Sequence, residues 1–217
     1  MDKSWLVVGP GRTGSRAIVR SIYSLYKYDF NIINKVNPTD AIRPIKPLDV
    51  IHTHDLSWLD QVNENTEVII STRNPIESAL SWCILPKLGR YHFYIYTKEY
   101  ISELKSIEVK KFYLNPDDFL EVYNTIIQFY KQIQLKDRYH IIDYSDWSND
   151  PKQIFRRLNF NVDEHIKYLR YLPIRNPGSP SKWIENWEDI SEICKTLTTD
   201  ALSLIPNTLI THTLNQS

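Results

Sequence analysis

Residues 4–27, SWLVVGPGRTGSRAIVRSIYSLYK, decide the fold of this chain. The apolar run Trp5–Val8 predicts a buried strand, and Ser15–Lys27 predicts the helix that follows it. Between them, a loop with three glycines allows the backbone to approach a phosphate closely, and the next helix presents free N–H groups and the positive end of its dipole. The stretch therefore predicts a P-loop-like phosphate-binding loop after strand 1.

Strand-like and helix-like segments alternate along the rest of the chain, which indicates an α/β fold: a central, mainly parallel sheet with helices on both faces. The further predicted strands are Phe30–Ile33, Val50–Thr53, Val68–Thr72 and Tyr139–Asp143. The further predicted helices run from Pro75 to about Leu85, from Asn115 along an apolar stripe to Tyr130, from Asp150 to Leu158, from Asp163, and near Glu185–Leu197.

Two segments lack a clear periodicity of apolar residues. Lys87–Lys111 is predicted to be an irregular excursion over the sheet, and Arg175–Ser181 a long loop. The sequence contains no internal repeat, low-complexity tract or linker, so residues 1–217 are predicted to form a single domain.

Composition excludes several classes of function. Lys plus Arg and Asp plus Glu both number 26, so no global charge favours nucleic acid or a membrane surface, and any anion site must be local. The two cysteines, Cys83 and Cys194, resemble neither a secretory disulfide framework nor a paired-cysteine metal site. The first residues lack the layout of a signal peptide, and no apolar stretch approaches the roughly 20 residues that span a bilayer. We expect a cytoplasmic protein with no nucleic-acid partner and no membrane span.

The glycine loop fits several kinds of site besides a plain turn without a ligand. Gly9, Gly11 and Gly14 satisfy the GxGxxG pattern of NAD(P)-dependent Rossmann oxidoreductases. That fold also wants an acid at the end of the second strand, near which Asn34 stands. A nucleoside triphosphatase needs GxxxxGK[ST], but Ser15 occupies the Lys position, so the residue that reaches the β and γ phosphates is lacking.

A third interpretation accounts for more residues. The run Arg12-Thr13-Gly14-Ser15 resembles the 5′-phosphosulfate loop of the PAPS-dependent sulfotransferase family, where Lys or Arg precedes a Ser/Thr-Gly-Thr/Ser run. The resemblance implies that Arg12 lies near the bridging oxygen of the donor, 3′-phosphoadenylyl sulfate (PAPS). It also implies that the 5′-phosphate is surrounded by the rest of the loop: Gly11, Thr13, Gly14, Ser15 and Arg16.

Residues 68–82, VIISTRNPIESALSW, resemble the 3′-phosphate motif of the same family. Arg73 stands at the end of a predicted strand, and Ser81 follows eight residues later on a predicted helix. Arg offers a planar fork to a phosphate and Ser adds a hydroxyl donor. In isolation Arg73 is explained equally well by a surface ion pair, but two motifs in the right order are more specific than either alone.

The segment DVIHTHDL, residues 49–56, lies between the two motifs. His54 matches the general-base His of the Lys-Thr-His that ends a strand in this family, and His52 stands in place of the Lys. A His near neutral pKa suits the removal of a proton from an acceptor hydroxyl. Some branches of the family use a carboxylate instead, so Asp55 is a second candidate.

Two weaker matches complete the resemblance. HIIDYSDW, residues 140–147, resembles the strand end with an adenine-side Tyr, here Tyr144. RNPGSPSKWIENW, residues 175–187, resembles the late glycine loop that closes over the nucleotide, although the usual paired-glycine spacing is absent. The candidates there for the 3′-phosphate site are Arg175, Gly178, Ser179 and Lys182.

The resemblance implies a sulfotransferase that moves a sulfuryl group from PAPS to a hydroxyl or amine and releases 3′,5′-ADP (PAP), with no metal. The acceptor class stays open between a small molecule, a carbohydrate and a peptide. Two alternatives also stay open: an NAD(P)-dependent Rossmann oxidoreductase, and a nucleotide-binding protein without catalysis.

Overall fold

The predicted parallel sheet is present in a computed structural model, which describes residues 3–25, 31–35, 42–87, 110–136, 138–148, 150, 152–160 and 179–206. Within these ranges the strands β1 to β5 are Ser4–Val8, Asn31–Lys35, Asp49–Thr53, Thr66–Thr72 and Tyr139–Asp143. Every pairing is parallel, and the order across the sheet is β2-β3-β1-β4-β5. The carboxyl ends of all these strands therefore lie at one edge of the sheet.

The α-helices of the described residues are α1 Ser15–Leu25, α2 Pro75–Lys87, α3 Pro116–Gln132, α4 Tyr144–Ser148, α5 Lys152–Arg157 and α6 Trp187–Lys195. Short 3₁₀ turns span Leu56–Gln61, Pro180–Lys182 and Leu202–Leu204. No helix in these ranges is long and apolar enough to cross a membrane.

The helices cover both faces of the sheet because alternate side chains of a strand point to opposite sides. Leu6 and Val8 of β1 belong to a buried cluster with α2 and α3. Trp5 and Val7, the alternate residues, belong to a second buried cluster with α1 and α5. The predicted fold class, a parallel α/β sheet with helices on both faces, is confirmed.

Helix α3 begins as the sequence predicts. The side chain of Asn115 accepts a hydrogen bond from the N–H of Asp117, and Pro116 fills the first helical position, where no N–H is needed. The predicted apolar stripe is buried along this helix.

Some boundaries differ from the prediction. β4 begins at Thr66 rather than Val68, because its first two residues pair with Ser4 and Trp5. Helix α4 was not predicted; it follows β5 directly, and the carboxylate of Asp143 accepts from the N–H of Ser145 in its first turn. β2 is also displaced, running over Asn31–Lys35.

Several predicted segments lie outside the described residues. They are positions 88–109 of the irregular excursion, the helix expected from Asp163, and positions 175–178 of the late loop.

Candidate functional site

The predicted site residues meet because each follows the end of a parallel strand. Gly9 comes directly after β1, His54 after β3, Arg73 after β4 and Tyr144 after β5. The carboxyl ends of parallel strands share one edge of a sheet, which is where ligands bind in open α/β folds. Segments that are far apart in sequence are therefore neighbours at this edge.

The glycines of the loop lie in close contact with β4 and α2. A Cβ atom at Gly9 would lie 2.6 Å from the backbone oxygen of Ser71, and one at Gly11 would lie 1.6 Å from the ring of Trp82. Gly9 therefore needs to be glycine because its neighbour is backbone, whereas a side chain at position 11 would require the ring of Trp82 to move. Gly14 has a φ of 80° and Arg12 a φ of 71°, a left-handed conformation that is unfavourable for a side chain such as that of Arg.

The hydroxyls of the loop are engaged within the protein. Thr13 is fully buried, and its Oγ1 donates to the carbonyl of Pro10 at 3.1 Å. Ser15 is 4% exposed, and its Oγ lies 2.7 Å from Nε2 of His52. These two predicted hydroxyl ligands of the 5′-phosphate thus also shape the loop itself.

Backbone amides are the donors that the loop offers to an anion. The N–H groups of Gly14 and Ser15, at the start of α1, donate to no acceptor among the described residues. The first turn of α1 contains no acidic residue, so the positive end of the helix dipole is not neutralised there. Arg12 and Arg16, the predicted cations, lie on either side of these amides in the chain.

Arg73 joins the second motif to the loop. Its Nη1 donates to the carbonyl oxygen of Arg12 at 3.1 Å. Its Nη2 lies 3.1 Å from Oε2 of Glu77, and its guanidinium carbon lies 4.2 Å from the ring centre of Tyr144. The hydroxyl of the buried Tyr130 accepts from the backbone N–H of Arg73 at 3.1 Å. The guanidinium of Arg73 is thus held in a fixed orientation at the edge of the sheet, where 14% of the side chain is exposed.

The ring of Tyr144 stacks on the guanidinium of Arg73 and also contacts the ring of Trp147, which lies against the glycine loop. The two rings are 5.0 Å apart at 73°. A Cβ at Gly14 would meet Trp147 at 2.4 Å and Tyr144 at 3.0 Å. Burial raises the pKa of Tyr144, while the charge of Arg73 lowers it. Tyr144 is therefore a neutral phenol within reach of both anion motifs.

Ser81 is buried on α2, one residue before Trp82, whose ring lies against Gly11. The helix that carries the predicted serine therefore packs beside the loop. Trp82 is 43% exposed there. The sequence motif did not single out Trp82 or Tyr130, since an aromatic residue on a predicted helix is first taken as part of the core.

His54 is half-buried, and its Nδ1 lies 2.5 Å from the carbonyl oxygen of Gly9. A carbonyl only accepts, so Nδ1 carries the proton and Nε2 keeps its lone pair. Burial lowers the pKa of His54, as do the charges of Arg16 and Arg12, whereas the bond to Gly9 raises it. The net direction is downward, so His54 is a neutral imidazole suited to act as a base at neutral pH.

Asp55, the second candidate base, caps the 3₁₀ turn Leu56–Gln61. Its Oδ1 accepts from the N–H of Ser57 at 2.9 Å and from the hydroxyl of Ser57 at 2.5 Å. These bonds engage Oδ1 in capping the turn, which favours His54 over Asp55 as the base.

The late loop is only partly described. Arg175 and Gly178 lie outside the described residues, while Ser179 and Lys182 are exposed. Ser179 bonds to the hydroxyl of Ser181 at 2.8 Å. Among the described residues, no polar contact links Ser179 or Lys182 to the glycine loop. Their assignment to the 3′-phosphate stays a prediction.

No group of three or more His, Cys, Asp or Glu within the described ranges could hold a metal ion. No family model matches the sequence, and no curated protein matches it.

Two solved structures are similar to this chain. Mouse sulfotransferase SULT7A1 complexed with PAP aligns over 80% of this chain and 65% of its own length, with 17% identity and a TM-score of 0.42. A sulfotransferase from Alicyclobacillus acidocaldarius aligns over 98% of this chain and 96% of its own, with 11% identity and a TM-score of 0.46. At these identities and TM-scores the function has to be argued from the residues of the site.

Proposed function

We propose that this protein is a sulfotransferase that uses PAPS as donor and a hydroxyl or amine as acceptor. The observation that supports this most directly is the bond from the guanidinium of Arg73 to the carbonyl of Arg12, 61 positions away in the chain. It places a predicted 3′-phosphate ligand beside the loop predicted to bind the 5′-phosphosulfate. A nucleotide with phosphates at both ends of its ribose needs two such elements side by side.

Each end of the donor would have its own ligands. At the 5′ end these are the amides at the start of α1, together with Arg12 and Arg16. At the 3′ end Arg73 offers its fork, and Tyr144 borders the same space. The exposed ion pair of Arg73 with Glu77 is worth about 0–1 kcal/mol, so a doubly charged phosphate can displace it.

The proposed reaction is in-line transfer. Nε2 of His54 takes the proton of the acceptor as the acceptor oxygen or nitrogen attacks sulfur. The bond from sulfur to the bridging oxygen breaks, and 3′,5′-ADP leaves with the electron pair on that oxygen. Arg12 and the positive end of α1 stabilise the developing negative charge. A guanidinium does not give up its proton in proteins, so Arg12 acts through its charge alone.

Two features of the sheet disfavour the oxidoreductase alternative. In the dinucleotide-binding order, the second strand lies next to the first. Here β2 lies at the edge of the sheet and β3 occupies that place. The acid that follows β3, Asp55, caps the 3₁₀ turn Leu56–Gln61 through its carboxylate, whereas the acid of that fold binds the ribose.

Ligand-dependent thermal stability tests the proposal. We expect 3′,5′-ADP to stabilise the protein selectively over ATP, NAD and NADP; a ligand at 100 times its dissociation constant adds about 2.7 kcal/mol. Transfer of labelled sulfuryl groups to a panel of small-molecule, carbohydrate and peptide acceptors then tests catalysis. Stabilisation by NAD or NADP alone would overturn the proposal, and binding without transfer would favour the non-catalytic alternative. The acceptor class and the cytoplasmic location stay predictions.

A further inference from the structure

The end of β3 holds the glycine loop through three consecutive residues. Nε2 of His52 lies 2.7 Å from Oγ of Ser15. The carbonyl of Thr53 accepts from the N–H of Gly9 at 3.4 Å, and His54 donates to the carbonyl of Gly9. The loop is thus fastened at both ends, at the residue after β1 and at the first residue of α1.

His52 is a polar residue at a buried position of β3. It is 1% exposed and pairs in the sheet with Val7, and the two residues before it on β3 are Val50 and Ile51. A buried imidazole costs free energy unless it is hydrogen-bonded, whereas an apolar residue could pack there without that cost. The bond to Ser15 accounts for the polar side chain.

The two histidines are bonded to opposite ends of the loop. Their rings are 5.0 Å apart at 83°, so they are direct neighbours. His54 bonds to the start of the loop and is half-buried. His52 bonds to the end of the loop and is enclosed. Only His54 therefore has exposed surface with which to meet an acceptor.

We propose that His52 is a positioning residue of the anion-binding loop. Acting through the hydroxyl of Ser15, it holds the loop and the first turn of α1 in the shape that binds the 5′ end of the donor. That the loop binds the 5′ end of PAPS rests on the proposed function. The hydrogen bonds that hold the loop do not depend on that function. His52 then sets donor affinity, while His54 sets turnover.

The fastening is tested first without any ligand. His52→Leu keeps an apolar volume without the bond, and His52→Gln keeps an amide that can reach Ser15. We expect amide hydrogen exchange of Ala17 and Ile18, whose N–H groups donate to the carbonyl of Gly14, to be about fivefold faster in His52→Leu, as the loss of one buried hydrogen bond allows, and close to wild type in His52→Gln. Unchanged exchange in His52→Leu, or no recovery in His52→Gln, would overturn the proposal.

The division between affinity and turnover is tested with 3′,5′-ADP and PAPS. His52→Leu and Ser15→Ala should each weaken 3′,5′-ADP binding about fivefold to tenfold. At saturating donor the kcat of His52→Leu should fall far less than that of His54→Asn, which removes the proposed base. The double variant should bind no more weakly than either single one, because the two side chains act as one unit. Additive losses, or a fall in kcat at unchanged affinity, would contradict the proposal.

Failures of the two proposals can be separated. If the wild-type protein does not bind 3′,5′-ADP, the proposed function fails, and the exchange measurement alone decides the role of His52. If His52→Leu does not fold, Ser15→Ala takes its place in both measurements, since it removes a single oxygen. Wild-type exchange in Ser15→Ala would then overturn the proposal.

Discussion

Arg73 lies over the ring of Tyr144, with its guanidinium carbon 4.2 Å from the ring centre. The contact follows from the sheet, since Thr72 of β4 pairs with Asp143 of β5 and the next residue of each strand is one of the two partners. Stacking on a ring leaves the N–H groups at the edge of the guanidinium able to donate. Nη1 bonds to the carbonyl of Arg12, whereas Nε and Nη2 face the carboxylate of Glu77, whose side chain is 54% exposed. The pair therefore presents a flat, oriented cation beside the phosphate loop.

Arg73→Lys should weaken 3′,5′-ADP binding by at least about tenfold, because Lys lacks the planar fork and charge-assisted hydrogen bonds contribute about 1.5–3 kcal/mol. Binding of 5′-AMP, which lacks the 3′-phosphate, should change much less. Calorimetric titration with both nucleotides measures the difference. Glu77→Gln is the matched control, since it removes the ion pair of Arg73 and should leave 3′,5′-ADP affinity unchanged or higher. Equal losses for both nucleotides would show that Arg73 only shapes the loop.

Arg12→Gly should lower turnover by about 10²–10³ while changing 3′,5′-ADP affinity much less, as for other groups that stabilise transition-state charge. Glycine is the informative replacement because Arg12 has a φ of 71°, which glycine adopts without strain. The free energy of unfolding should therefore not decrease. Arg12→Lys is the companion variant, and it should retain part of the rate. A parallel loss of affinity and rate in Arg12→Gly would refute the electrostatic role.

The strands of the parallel sheet, and the position of each motif directly after a strand, could be predicted from sequence because β1, β3 and β4 contain short apolar runs. The roles of His52 and Asp55 could not, because they depend on pairings across the sheet and on a local cap: Ser15 is 37 positions from His52, and Asp55 bonds to Ser57. The unpredicted helix α4 begins directly after Asp143, whose carboxylate accepts from the N–H of Ser145, and a single Asp at the end of a strand does not by itself predict a helix.

The acid limb of the pH profile of kcat/KM, which reports the free enzyme, should have its midpoint below the ordinary value of 6.5. Burial, with the charges of Arg16 and Arg12, lowers the pKa of His54, and the neutral form is the base. The value of kcat/KM is therefore full above the folded-state pKa of His54 and is lost as pH falls through it. Arg16→Gln removes one of the neighbouring charges and should move this limb to higher pH. A limb that stays in place would indicate that another group titrates.

His54→Asn should reduce turnover by about 10²–10⁴, the usual contribution of a general base, while its amide can still donate to the carbonyl of Gly9. Donor affinity should stay near wild type, which separates loss of the base from damage to the loop. A stability comparison supports the assignment. Because the pKa of His54 is lower in the folded state than its ordinary 6.5, the unfolded chain binds more protons just below pH 6.5. Wild-type stability should fall there as pH decreases, and less so in His54→Asn.

Gly9→Ala and Gly11→Ala should differ, although both glycines belong to one loop. The Cβ at position 9 would lie 2.6 Å from a backbone oxygen of Ser71 in β4, which cannot move, whereas the Cβ at position 11 would meet the ring of Trp82. Trp82 is 43% exposed, so it can turn toward solvent. Denaturant unfolding should show a loss of about 1–3 kcal/mol for Gly9→Ala, as for overpacked cores, and a smaller loss for Gly11→Ala.

The pairing of Gly11 with Trp82 also allows a rescue experiment. Gly11→Ala should weaken 3′,5′-ADP binding, because the new Cβ would push the ring of Trp82 and the glycine loop apart and change the conformation of the loop. Adding Trp82→Ala to Gly11→Ala opens the space that the new Cβ needs, so affinity should return toward that of Trp82→Ala alone. The same second change should not restore the stability of Gly9→Ala, whose clash is with the backbone. If Gly11→Ala binds as well as wild type without the second change, the contact of Trp82 does not fix the loop.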